Sequence, residues 1–112
     1  MRIRKFHKKT GPRRHFLRIL AGNLILKGKI ETTEARAKAV RPLVERCISI
    51  GKRQTIAALR LLMSRLSYKA ANKVYYELAV RYKERHGGYL RIQKTAKSRK
   101  RDGAMVVIVE FV

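Results

Sequence analysis

Ten lysines and arginines fall within residues 1–30, and no aspartate or glutamate falls among them. Side chains of this type at this density do one kind of chemistry well, which is to neutralise phosphates. The arginine fork meets phosphate oxygens in pairs, and lysine supplies a mobile point charge. Each such contact releases condensed counterions, so binding is strong and falls steeply with salt. Over the whole chain, 29 Lys plus Arg face 7 Asp plus Glu, a formal net charge of +22. Solvated charge runs usually mix both signs, whereas an excess of one sign along the full length calls for a polyanionic partner, nucleic acid above all. A cationic membrane-active helix would need a long uninterrupted amphipathic segment, and this chain is cut into short elements.

Other chemistry is thinly represented. His7, His15 and His86 are scattered, with no thiol or carboxylate at ligand spacing, so no metal site is expected. The acidic residues form no close cluster that would hold magnesium, and no nucleophile elbow or phosphate-cradling P-loop is present. No enzyme activity, cofactor or small-molecule substrate is expected. Cys47 falls at an apolar helix position and reads as a small buried hydrophobe, and a single cysteine leaves no internal disulfide. Tyr68, Tyr75, Tyr82 and Tyr89 recur every seven residues, which could make a base-stacking ladder. Core or rim packing is the stronger reading, because that period puts Tyr75 and Tyr82 on one helix stripe with Leu78.

The elements that must carry these cations can be read from apolar periods. A chain of 112 residues with 46% hydrophobic content makes one domain with a real core. Residues 1–10 have no apolar period and are expected to form an extended basic arm; residues 11–112 form the domain. Thr10, Gly11 and Pro12 signal a helix start, and Phe16, Leu17, Leu20 and Leu24, with Ile19 as a further candidate, mark its buried face. Gly28 ends it as a left-handed cap, Lys29 to Thr32 makes a short edge strand, and Thr33 caps the next helix. That helix runs to about Ile50 along Ala39, Val40, Leu43, Val44, Cys47 and Ile48, with a kink expected at Pro42 and Gly51 as its stop. Thr55 or Gln54 starts a third helix with Ile56, Leu59, Leu62, Met63 and Leu66 inward. Ser67 caps a fourth with Ala71, Val74, Leu78 and Tyr82 inward. After His86, Gly87 and Gly88 the period becomes that of strands, Tyr89 to Lys94 and Ala104 to Phe111, joined by a basic loop from Thr95 to Gly103. The fold class is α+β, about four helices packed on one face of a small sheet.

Two strings carry a more specific signal. Ile30-Glu31-Thr32-Thr33, continuing through Ala35-Arg36-Ala37-Lys38 to Arg41-Pro42, resembles the hallmark segment of the bacterial-type large-subunit ribosomal protein seventeen family. The segment from Arg81 to Ile92, with its Gly87-Gly88-Tyr89 and its Arg91-Ile92 strand, resembles that family's second hallmark. Met1-Arg2 with Arg4-Lys5, and Asp102 to Ala104 with Ile108 to Val112, fit its two ends. The chain departs from the family pattern at Ile3, where the family carries His, and near Met105, where it carries Pro. Residues 53–73 match only in helical character. The resemblance implies a constituent of the large ribosomal subunit that binds its ribosomal RNA near the polypeptide exit region and touches neighbouring ribosomal proteins. It also implies that the strand at Lys29 to Thr32 joins the C-terminal hairpin in a three-stranded sheet. The compact start, without an obvious presequence or membrane segment, favours a cytoplasmic ribosome over an organellar one.

The expected RNA contacts follow. Arg2, Arg4, Lys5, His7, Lys8 and Lys9 form the arm, and Arg13, Arg14 and Arg18 lie on the first helix. Arg36, Lys38 and Arg41 extend the surface from the second. Gly87 and Gly88 more often mark a helix stop, but their amides can also meet a phosphate. Arg91, Lys94, Lys97, Arg99, Lys100 and Arg101 belong to the hairpin and its loop. The alternative within the nucleic-acid class is an architectural DNA-binding protein, although the junction of the third and fourth helices lacks a glycine turn. An adaptor for acidic proteins is the rival from another class, and a hydrolase is the most distant.

Overall fold

The computed structural model describes residues 10–98 and 103–112. The expected arm contacts at Arg2, Arg4, Lys5, His7, Lys8 and Lys9, and the loop residues Arg99, Lys100 and Arg101, lie outside the described residues, as do the side chains of Thr10 and of the expected contact Lys97.

Helix α1 (Thr10–Lys27) carries Pro12 in its first turn, where a missing amide costs nothing. It ends at Gly28, whose φ of +85° is the left-handed cap expected, with the Gly28 amide donating to the Leu24 carbonyl at 2.8 Å. Strand β1 (Lys29–Thr33) follows directly. Thr33 then caps α2 (Glu34–Gly51), its hydroxyl accepting from the Arg36 amide. This helix runs through Pro42 as one element, with its buried stripe kept in phase by Ala37, Val40, Val44, Cys47 and Ile48.

Gly51 serves a different purpose from a simple stop. It is the last residue of α2, and a Cβ there would lie 3.2 Å from Val74 Cγ1 and 3.3 Å from Ala79 Cβ. The absent side chain lets α2 approach the fourth helical run. The chain reverses instead at Gln54, whose φ of +54° is left-handed. Its side-chain amide fixes that geometry, donating to the carbonyls of Gly51 at 2.8 Å and Tyr75 at 2.9 Å.

Thr55 caps α3 (Ile56–Arg65), and Ser67 caps α4 (Tyr68–Lys73), each through its hydroxyl. The fourth run continues through a π-helical turn (Val74–Leu78) and a last short helix, α5 (Ala79–Arg81). The Ala79 amide donates to the Val74 carbonyl, five residues back, which is the hydrogen bond that defines such a turn.

The sheet is antiparallel in the order β1-β3-β2, from β2 (Leu90–Ser98) and β3 (Met105–Phe111). The first strand therefore joins the C-terminal hairpin, as the resemblance implied, with Ile30 opposite Val109 and Thr32 opposite Val107. Strand β2 is longer than expected. It continues past a register irregularity after Lys94 to Ser98, held by the Thr95 hydroxyl donating to the Val106 carbonyl at 2.7 Å. Lys97 thus belongs to the strand rather than to the loop.

One core joins all the elements. Leu24 and Ile25 of α1, Val40, Val44, Cys47 and Ile48 of α2, Leu62, Val74, Leu90, Val107 and Val109 are fully buried. Each such aliphatic side chain contributes about 1.5–3 kcal/mol when removed from water. Burial also pushes the Cys47 thiol above its ordinary pKa, the effect of Arg65 and Arg46 being smaller, so it is a core atom rather than a nucleophile. Three expected core residues are corrected: Ile19, Ile56 and Met63 are exposed, whereas Ala21, Ile25 and Ala58, not expected in the core, are buried. In α3 and its C-cap the buried stripe is Ala58, Leu62 and Leu66, at four-residue spacing, and Ile56 and Met63 lie off it. Of the tyrosines, Tyr82 and Tyr89 are buried and pack together at 5.2 Å between ring centroids, with Phe111 beside Tyr82 at 6.4 Å.

Candidate nucleic-acid interface

The expected cations separate into groups that the sequence did not distinguish. Lys38 and Arg41 on α2, one turn apart, and Lys94 on β2 line one groove of about 530 Å³, floored by Pro42 and Ile92. Helical spacing sets the first pair on one face, and strand alternation sets Ile92 and Lys94 on the side of the sheet that faces α2. Arg91, one residue away, must point to the other face. There it pairs with Glu110, at 2.7 Å, across the ladder.

The groove also contains carboxylates. Glu34 Oε1 lies 2.9 Å from Lys38 Nζ, and Glu45 Oε1 lies 3.5 Å from Arg41 Nε, both at i,i+4 spacing. Such pairs orient the cations but bind them weakly, since they are largely exposed. Glu45 is doubly used, because its other oxygen accepts from the Tyr89 amide at 2.9 Å. A phosphate entering the groove can therefore take over Lys38 and Arg41 without breaking a buried interaction.

The first helix offers two faces. Arg36 of α2 stands 5.1 Å over the Phe16 ring, a cation–π contact that joins α2 to the start of α1. Arg13, three residues before Phe16, shares that face by helical period. Arg14 and Arg18, four residues apart, share another. Arg18 lines a separate hollow of about 350 Å³ together with His15, Arg65 and Ile19.

Gly87 and Gly88 sit at φ +82° and +63°, in an exposed turn that only glycine adopts without strain. Three residues that local spacing did not single out hold this turn. Lys52 Nζ donates to the Arg85 carbonyl at 2.5 Å and to the Tyr89 hydroxyl at 3.1 Å. Arg85 Nε donates to the Gly88 carbonyl at 3.1 Å, and Glu45 receives the Tyr89 amide as above. Burial tends to raise the Tyr89 pKa. Donation from Lys52, the Gly87 amide and Ser49, together with the Lys52 charge, outweighs that and leaves it below the usual tyrosine range. Lys52 and Glu45 come from the end of α2, thirty or more residues away, so no sequence period could have shown them. Among the described residues, no three His, Cys, Asp or Glu lie together as a metal set, and no helix is long and apolar enough to cross a membrane.

Residues 16–112 match the family of ribosomal protein L17. The chain is 46% identical over 114 residues to the large ribosomal subunit protein bL17 of Persephonella marina, covering 100% of this chain and 92% of that protein. It is 42% identical to the protein of that name from Sulfurihydrogenibium sp., covering 100% and 93%. It is also 42% identical to that from Levilactobacillus brevis, covering 100% and 99%.

Proposed function

Because the chain belongs to the ribosomal protein L17 family, we propose that it is a structural constituent of the large ribosomal subunit that binds and braces folded large-subunit ribosomal RNA. The observation that carries the finer part of this reading is the convergence of Lys38, Arg41 and Lys94 on one groove between helix and sheet. Cations from two elements, held at a separation fixed by the core, select an RNA by the spacing of its phosphates rather than by its bases. Arg36, packed on Phe16, and Arg13, on the same face of α1, continue the same kind of surface towards the start of that helix.

The cations of residues 2–9 make a further phosphate grip, and those of residues 97–101 make another at the hairpin tip. At the exposed Gly87-Gly88 turn, where the Gly87 amide already serves Tyr89, the Gly88 amide meets one more phosphate. Neighbouring ribosomal proteins near the polypeptide exit region complete the seat. The protein acts in the cytoplasmic ribosome and performs no catalysis.

The test is binding of the full chain to large-subunit ribosomal RNA across a salt series, with duplex DNA as competitor. Tight binding that resists DNA competition, and a salt slope that flattens when residues 1–10 are deleted, support the reading. Equal affinity for duplex DNA would favour an architectural DNA-binding protein. An unchanged slope after the deletion would remove the arm from the mechanism.

A further inference from the structure

Tyr68 and Tyr76 are 71% and 61% exposed, although every other aromatic ring of the fourth helical run is packed. Both border a hollow of about 430 Å³ between α1 and α4, closed by Leu26. On a regular α-helix, residues eight apart are offset by roughly 80° around the axis. The π turn rotates less per residue, which narrows the offset and brings Tyr76 round to the hollow that Tyr68 already borders. Tyr76 is also held in place: the Tyr75 ring meets it edge-on at 4.8 Å and 79°. Gln54 in turn fixes the Tyr75 carbonyl.

Positive charge accompanies the rings. Lys73 Nζ is fixed at the C-terminal end of α1, donating to the Leu26 carbonyl at 3.1 Å, and Lys69 is exposed on the same rim. Glu77 is the one carboxylate among the described lining residues. The hollow lined by Arg18 and Arg65 adjoins it, since Leu26 borders both, and adds two cations with no described acid. Lysine is depleted from protein–protein interface cores, whereas tyrosine faces beside lysine and arginine are the makeup of surfaces that hold single-stranded nucleic acid.

We propose that this α1–α4 face is a second RNA site, which takes unpaired nucleotides by stacking bases on Tyr68 and Tyr76 while Lys69 and Lys73 meet the flanking phosphates. The inference rests on the reading of the protein as an RNA binder and deepens it. The groove between α2 and β2 grips phosphates of folded helices, and this face selects loops or bulges whose bases are free. It shares no lining residue with that groove.

The experiment compares the full chain with Tyr68→Ala/Tyr76→Ala and Tyr68→Phe/Tyr76→Phe, using a short single-stranded oligouridylate and a blunt RNA duplex as probes. Stacking on two rings predicts a loss of about tenfold or more for the single strand in the alanine variant. Duplex affinity stays within about twofold, and the phenylalanine variant keeps single-strand binding. Equal losses on both probes, or no loss, overturn the proposal. So does unchanged RNA binding with loss of a neighbouring ribosomal protein from purified subunits, which would give the face to a protein partner. Failure of the unsubstituted chain to bind either probe or ribosomal RNA would instead overturn the broader RNA reading.

Discussion

The groove between α2 and β2 and the hollow between α1 and α4 are both basic, yet they are built in opposite ways. In the groove, Lys38 and Arg41 are each tied to a carboxylate one turn away, and the rest of the lining is Lys94 with the aliphatic Pro42 and Ile92. In the hollow, lysines stand beside exposed tyrosine rings, and a wide helical turn aligns those rings. On the proposed reading, the first arrangement would hold charges in register for phosphates arriving as a rigid set, and the second would offer flat apolar faces to bases that have left their helix. Net charge alone would not have separated the two tasks; the company each cation keeps does so.

The largest expected effect tests whether the two regions belong to one cooperative unit. Leu62 is fully buried, and its Cδ1 lies 3.5 Å from where a Cβ on Gly51 would sit. Leu62→Ala should cost about 3 kcal/mol in urea unfolding. One common midpoint, read both from tyrosine fluorescence and from a probe on the groove, is expected. Two separated midpoints would show that the hollow and the groove unfold independently.

Next in size is the split in salt dependence. Replacing Lys38, Arg41 and Lys94 by Gln together should lower the slope of log affinity against log salt on duplex RNA by about two to three, at about 0.9 for each phosphate no longer neutralised. The tyrosine variants should leave that slope unchanged. Equal changes in both would erase the distinction between the regions.

A third outcome concerns alkaline pH. Burial raises the Tyr82 pKa, an effect that Arg81 and Arg85 only partly offset, whereas Tyr89 lies below its ordinary value. Tyr82 therefore contributes stability that is present below the unfolded tyrosine pKa and lost as pH rises through its folded value. Tyr89 contributes stability that is present above the unfolded pKa and lost as pH falls through its lowered folded value. Absorbance titration should resolve an early and a late tyrosinate, and Lys52→Met should move the early one upward. A single transition at the ordinary tyrosine pKa would count against both environments.

The smallest effect is the most diagnostic for the groove. Glu34→Gln should change stability by only ~0.5 kcal/mol, the size of an exposed i,i+4 pair. It should strengthen binding to ribosomal RNA by a few-fold, because Lys38 is released to phosphate. Weaker binding would show that the carboxylate positions the lysine rather than competing for it.

Much of this fold was legible because its signals are local. Gly28, Thr33, Thr55 and Ser67 each mark a boundary through their own backbone or hydroxyl, and the structure places helix ends at all four. The pairing of β1 with β3 joins residues some eighty positions apart, and only the family resemblance carried it. The π turn left no trace in the pattern, since Ala71, Val74, Leu78 and Tyr82 read as an ordinary buried stripe and are in fact all buried. Neither carboxylate of the groove, Glu34 or Glu45, was singled out from the sequence as a partner of its cations, and the partition of Arg91 from Lys94 needed the sheet to be placed. Tyr68 belongs to a seven-residue recurrence for which core or rim packing was the stronger reading, yet its ring is exposed. Its pairing with Tyr76 depends on a change of helical pitch that no period reports.

Synthesis proceeds from the N-terminus, so the middle strand of the sheet is made after every other described element. Until Met105–Phe111 exists, the two outer strands have nothing between them, and Val107 and Val109 are missing from the interior. A product lacking Met105–Phe111 would thus leave two unpaired ladders and an open core, marking such copies for proteolysis.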